Sequence, residues 1–256
     1  MTADLLPAGY DFTDPDVNHV SVPHDEFKAL RQHSPVHWVE QPEPIRSGFA
    51  PEAGTGYWAL SRHADVLAVS KDSKNFGTAE NGAIIRFGEG MVREQIEMQR
   101  VMIINQDPPD HTAMRQIVSR GFTPRAINAL DAIMTERARG IVADAVSKGS
   151  GNFVEQCAAE LPLQAIAELL GVPQEDRFKL FEWSNQMLAS DDPDVGGDPE
   201  VASAEILGYA MGMAAERKAT PLDDIVTKLV HADQTGRGLT DDEFGFFVII
   251  LAVAGN

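Results

Sequence analysis

Residues 105–125, reading NQDPPDHTAMRQIVSRGFTPR, hold two helix starts in one short span. Asp107 is placed to cap the first helix, and Pro108 and Pro109 suit a first turn, where a missing N–H costs nothing. Gly121 reads as the stop of that helix. Thr123-Pro124 then opens the next with a cap and an N1 proline. Between the two starts, His111 and Arg115 stand four residues apart and so project from one helix face. Met114, Ile117, Val118 and Phe122 form the apolar side. Two cation-capable side chains on a partly buried helix call for an anionic partner, since an unpaired buried charge is costly. A pair of carboxylates on a flat ligand fits that need.

The rest of the chain has the composition of an ordinary globular protein. Of its 256 residues, 43% are hydrophobic and 23% charged, ample material for a core. A formal charge of -18, from 39 acidic and 21 basic residues, disfavours nucleic acid and anionic membrane as partners. A local basic patch is still possible, because Arg115, Arg120 and Arg125 all fall in the opening stretch. The single cysteine, Cys157, excludes an intrachain disulfide and fits a reducing, cytoplasmic location. The N-terminus, MTADLLPAGYDFTDPDV, has no basic segment followed by an apolar run, so no secretory signal is read there. Phe246 to Gly255, the longest apolar run, is too short to span a bilayer.

Taken in order, Asp11 to Val22 is turn-rich and is expected to lie across the surface. Pro23 to His33 reads as a short helix. Val36–Val39 and Tyr57–Leu60 read as strands of a hairpin joined by a long loop rich in Pro and Gly. His63 to Ser70 reads as helical. Asn75 to Ile104 is less regular, with a helix-capable part from Met91 to Met102. A long helix runs from Thr123-Pro124 to about Ser147. Phe153-Val154 suggests a brief strand. Cys157 to Leu170 is a strongly apolar helix stopped by Gly171. Pro173 starts a helix with Phe178, Phe181, Trp183, Met187 and Leu188, and a further helix carries Ile206, Leu207, Tyr209, Met211 and Met213. Thr220-Pro221 is read as the cap of a helix through Ile225, Val226, Leu229 and Val230. Thr240 to Glu243 is a capping box. It opens FGFFVIILAVAGN, apolar all round and therefore expected to be a central, buried helix. The fold class is mainly α with a small β portion.

DPPDHTAMRQIVSRGFTPR resembles the C-helix and the start of the D-helix of bacterial cytochromes P450, the heme-thiolate monooxygenases. The resemblance covers nearly the whole chain. ENGAIIRF, SRGFTPRAI, ELPLQAIAELLGVPQEDR and DDEFGFFVIILAVAGN are similar to the actinobacterial branch that oxidises the terminal side-chain carbon of cholesterol and cholestenone. The resemblance implies that residues 1–256 are the N-terminal part of a single cytochrome P450 domain, from helix A to the start of helix I. It implies heme (iron protoporphyrin IX) as cofactor, with His111 and Arg115 on its propionates and the axial cysteine outside this chain. Ala254 and Gly255 match the groove that admits dioxygen. Ile84, Ile85, Phe87 and Val101 from the loop, Met187 and Leu188 from the lid, and Leu251, Ala252 and Val253 from the central helix match the substrate lining. An apolar substrate, a sterol by string similarity, and a ferredoxin-type electron donor near Arg120 and Arg125 follow from the same resemblance. One atom of dioxygen would enter an unactivated C–H bond and the other leave as water. Cys157, early in an apolar helix, reads as a small buried hydrophobe and not as the iron ligand.

Other readings stay open on the residues alone. Fatty acids or terpenes would satisfy the same apolar lining. Asp107, Asp110 and His111 would be the ligands of a metal hydrolase, although such sites usually gather ligands from separated positions. A non-catalytic helical ligand-binding protein is the third.

Overall fold

The computed structural model describes residues 5–41, 56–86, 92–188, 196–231 and 236–255. The chain divides into two compact units, one of residues 1–100 with 104–111, the other of residues 101–103 with 112–256.

The first unit begins with α1 (Pro15–Val20), where Asp14 accepts the Asp16 N–H at 3.0 Å and Pro15 takes the first helical position. α2 (His24–His33) follows and buries Leu30. β1 (Val36–Glu40) and β2 (Gly56–Leu60) pair antiparallel, with Trp38 opposite Trp58. The two indoles meet edge to face with centroids 5.2 Å apart, a cross-strand aromatic contact that pins the register. Gly56 is required at the strand start, because a Cβ there would run into the Val39 carbonyl and the Trp38 ring. α3 (His63–Lys71) buries none of its residues. α4 (Arg93–Met98) buries Ile96, and its N-terminus is held by Gln95, whose side-chain oxygen accepts the Val92 N–H at 2.9 Å. Two expectations change here. The helix-capable part of 92–102 is α-helical only to Met98 and tightens to a 3-10 turn over Gln99–Val101. The stretch 11–22 is not surface turns throughout: residues 15–20 are helical, and Asp11 is only 3% exposed. Asp11 is buried because its carboxylate is satisfied. It accepts from the Thr13 N–H at 2.9 Å, the Thr13 hydroxyl at 2.7 Å and the Tyr57 hydroxyl at 2.9 Å, and faces Arg86 at 3.4 Å.

α5 (Asp110–Ser119) is shared between the units, its first two residues going with the first. The second unit is otherwise built of α6 (Pro124–Lys148), α7 (Glu160–Leu170), α8 (Arg177–Leu188), α9 (Pro199–Ala219), α10 (Ile225–Val230) and α11 (Asp241–Ala254). Its core gathers Leu170, Ile206, Leu229, Phe244 and Val248, among others. Along α9, Ala202, Ile206, Ala210 and Ala214 repeat every fourth residue and are wholly buried. The three alanines of that stripe let α9 pack closely on α11 and α8. α11 is the central apolar helix expected from its sequence, burying Phe244, Gly245, Phe247, Val248, Ile249 and Ala252.

Several local signals act as read. Thr123 caps α6 by accepting the Ala126 N–H at 3.2 Å, with Pro124 at N1. Gly171 ends α7 in the left-handed region at φ +65, and the Val172 N–H reaches back to the Ala167 carbonyl at 2.8 Å. The α11 capping box closes in both directions, Glu243 N–H to Thr240 Oγ1 at 3.2 Å and Thr240 N–H to Glu243 Oε2 at 2.8 Å. Others do not. Phe153-Val154 is helical and leads into a π-turn over Val154–Ala158, which contains Cys157; Asn152 starts it by accepting the Val154 N–H at 2.9 Å. α10 is capped by Asp224, which accepts the Thr227 N–H at 2.8 Å, and not by Thr220-Pro221. Thr220 instead terminates α9, with its N–H on the Glu216 carbonyl at 2.8 Å.

Candidate functional site

α5 presents its apolar residues, Met114 and Ile117, to the protein at 3% and 4% exposure. His111 and Arg115 lie one turn apart on it, His111 half-buried and Arg115 exposed. The Arg115 guanidinium therefore does not carry the cost of a buried charge that the sequence suggested. It makes no ion pair with a protein carboxylate among the described residues, although the molecule is strongly acidic. The His111 N–H donates to the Asp107 carbonyl at 3.0 Å, the first bond of the helix.

Asp107 does not cap α5 with its side chain. Its two carboxylate oxygens accept the N–H groups of Thr78 and Ala79, each at 3.0 Å. Those bonds, Thr78 first, outweigh partial burial and hold the carboxyl below the usual carboxylate range, with a smaller contribution from His111. Pro108 and Pro109 form a turn ahead of the helix and are not in its first turn. The Asp107 carboxylate thus serves two loop amides, one on each oxygen. Among the described residues no group of three or more His, Cys, Asp or Glu is arranged to hold a metal ion.

At the far end of α11, Leu251 and Val253 are half-buried and Ala252 is buried, while Ala254 and Gly255 are exposed. Gly255 has no room for a side chain, since a Cβ would lie 2.7 Å from the Leu251 carbonyl and 2.8 Å from Ile166 Cδ1. Leu251 and Val253 pack on the same core as Met187 of α8. Ala252 faces a narrow gap lined by Leu163, Ile166 and Leu180. Leu188 ends α8 and is exposed. Val101, in the 3-10 turn, is half-buried. In the first unit, Ile84 and Ile85 are exposed side by side. Phe87 lies outside the described residues. Arg120 donates through Nη1 to the Arg237 carbonyl at 3.0 Å, and Arg125 is exposed at the first turn of α6.

The sequence offered no sign of two groups that organise this region. One is the buried Asp11. The other is Asn105, 5% exposed, whose side-chain oxygen accepts the Ala83 N–H at 2.9 Å. Both act on partners distant in the chain, which no local spacing reveals.

No family model matches the chain. It is 58% identical over 251 residues to a steroid C26-monooxygenase of Rhodococcus jostii (strain RHA1), covering 98% of this chain and 52% of the relative. It is 50% identical over 257 residues to a steroid C26-monooxygenase of Mycolicibacterium smegmatis, covering 100% and 59%. A methyl-branched lipid omega-hydroxylase of Mycobacterium bovis is 33% identical over 239 residues, covering 90% and 53%. The chain thus spans about half the length of the curated relatives it matches. Among solved structures, a Mycobacterium marinum cytochrome P450 in complex with pseudoionone superposes with a TM-score of 0.77 at 30% identity, covering 99% of this chain and 62% of that one. A cytochrome P450 hydroxylase of the leinamycin pathway of Streptomyces atroolivaceus superposes with 0.73 at 29% identity, covering 91% and 55%. With a mostly helical architecture, one small hairpin and this run of similarity from end to end, the chain is similar over nearly its whole length to cytochromes P450 and carries part of their fold.

Proposed function

We propose that residues 1–256 are part of a single-domain, heme-dependent monooxygenase that hydroxylates the terminal side-chain carbon of a sterol. The observation that carries this is the 58% identity to a steroid C26-monooxygenase over 98% of the chain. The donor set fits heme: an exposed arginine without a carboxylate partner among the described residues, and a histidine one turn away, match two propionates. Heme with an axial cysteinate from outside this chain would supply activation of dioxygen. His111 and Arg115 bind and orient the propionates. Ala254 and Gly255 leave space beside the heme by having no bulk.

The substrate is held by apolar side chains that exclude water: Ile84, Ile85, Phe87 and Val101, with Met187 and Leu188, and Leu251 to Val253. Burying hydrocarbon there is favourable by about 25 cal/mol per Å². A sugar, a nucleotide or a charged amino acid would leave polar groups unpaired. Electrons come from a ferredoxin-type donor near Arg120 and Arg125, in the cytoplasm. No helix is long and apolar enough to cross a membrane among the described residues.

A second reading, omega-hydroxylation of a fatty acid, is favoured by the 33% identity to a methyl-branched lipid omega-hydroxylase. Spectral titration of the full-length protein separates the two. Cholest-4-en-3-one is expected to give a low-spin to high-spin shift, followed by terminal side-chain hydroxylation. A shift with a linear fatty acid and none with sterols would reject the sterol reading.

A further inference from the structure

Residues 77–86 form a loop fastened by side chains from elsewhere in the first unit. Asp107 accepts the Thr78 and Ala79 amides. Arg100 Nε donates to the Ala79 carbonyl at 2.7 Å, and Arg93 Nη1 to Asn81 Oδ1 at 3.0 Å. Asn105 accepts the Ala83 amide and donates to the Gln99 carbonyl at 3.1 Å. Arg86, at the end, reaches the buried Asp11. Inside the loop, the Gly82 N–H closes on the Thr78 carbonyl at 2.7 Å, with Gly82 in the left-handed region at φ +77. Gly77 lies so close to the Asp107 carboxylate that a Cβ would overlap it.

Of the side chains this fastening leaves over, Glu80 is charged and exposed, while Ile84 and Ile85 are large and apolar. Ile84 and Ile85 sit between the Asn105 and Asp11 anchor points and are 67% and 40% exposed. Ordering a loop costs conformational entropy at every residue, and folding alone gains little from ordering a segment whose own side chains stay in solvent. A rigid frame around exposed apolar side chains instead suits binding, because the ordering cost is met before the ligand arrives. Asp107 also fixes the frame to α5: its carboxylate holds the loop while its carbonyl accepts the His111 N–H.

We propose that Asp107 and Asn105 are positioning residues that hold Ile84 and Ile85 as a preformed apolar contact for the substrate, with Asp107 tying that contact to the helix that carries His111. This rests on the reading that the loop faces substrate. Neither residue touches the reacting atoms.

The test uses the full-length holoenzyme, with amide hydrogen exchange beside spectral titration with cholest-4-en-3-one. Asp107→Ala is expected to expose the Thr78 and Ala79 amides to exchange, and Asn105→Ala the Ala83 amide. Each is expected to raise the Kd of the spin-state titration about tenfold, the scale of a small misplacement of a positioning element. Heme content and the cysteinate-type carbon monoxide band are expected to stay at the wild-type level. Asp107→Asn keeps one acceptor and is expected to fall between. Gly77→Ala, which leaves both anchors in place but pushes the loop off the carboxylate, is expected to reproduce the weaker binding.

Faster exchange with an unchanged Kd would overturn the proposal. So would unchanged exchange, or a loss of heme in proportion to the loss of binding, which would place Asp107 in the heme site alone. If the wild-type protein shifts only with a linear fatty acid, the sterol reading fails. The same variants titrated with that acid then decide the loop proposal by the same criteria.

Discussion

Arg115 is exposed, so the cost of burying a charge gives it no need of a partner. Although the molecule has a net charge of -18, this exposed arginine pairs with no carboxylate among the described residues. Under the proposed function a propionate pair would be its partner, which the planar guanidinium suits by bidentate geometry. In the full-length enzyme, Arg115→Ala is therefore expected to weaken heme retention by about 1.5–3 kcal/mol, the worth of a charge-assisted hydrogen bond. His111→Ala should weaken it less, because a neutral imidazole offers one ordinary hydrogen bond. Heme content after dialysis against apomyoglobin measures both, and an unchanged content in the double variant would remove these residues from the heme site. The i, i+4 spacing made this pair legible in sequence. The neighbouring Asp107 was legible only as a cap-forming residue type, and its actual partners, Thr78 and Ala79, lie about thirty residues upstream where no spacing rule reaches.

Elements whose boundaries rest on adjacent residues are those the sequence reads correctly. Thr123-Pro124, Gly171 and the Thr240–Glu243 box each close a helix end with groups a few residues apart. The start of α10 was misplaced because two cap-like sites compete, and a distant partner decides between them: Asp224 also binds Arg217 at 2.5 Å, so its carboxylate is held where it can cap. The same coupling of cap and ion pair gives α11 a pH-dependent end. Burial would raise the Glu243 carboxyl, but hydrogen bonds from Arg237 and from the Thr240 N–H outweigh burial and hold it below the usual glutamate range. A carboxyl lowered by folding contributes stability above its unfolded value, and that contribution is lost as pH falls through about 4 and below. In urea unfolding of the full-length protein, Glu243→Gln is expected to be less stable than wild type at pH 7, with the gap closing towards pH 3. Thr240→Ala is expected to cost about 1 kcal/mol, with a gap far less sensitive to pH. A Glu243→Gln gap that stays constant across the range would show that its charge is not what stabilises the helix end.

At the scale of the whole molecule, the division of the chain falls inside the stretch that carries the family resemblance. α5 begins in one unit and continues in the other. Composition and periodicity gave the helices and the hairpin but not this division, which between residues 111 and 112 falls within one continuous helix. The cysteine count, by contrast, is a whole-chain property that sequence gives completely, and it makes a firm prediction. Cys157 is the only thiol, half-buried in the π-turn that leads into α7. A cysteine ligates iron as its thiolate, and Cys157, early in an apolar segment, is read as a small hydrophobe. The 256-residue chain with heme added is thus expected to give no cysteinate-type carbon monoxide band, and the full-length enzyme carrying Cys157→Ser is expected to keep its band at wild-type intensity. A band from the 256-residue chain that disappears with Cys157→Ser would make Cys157 the axial ligand and overturn the assignment of that ligand to residues outside this chain.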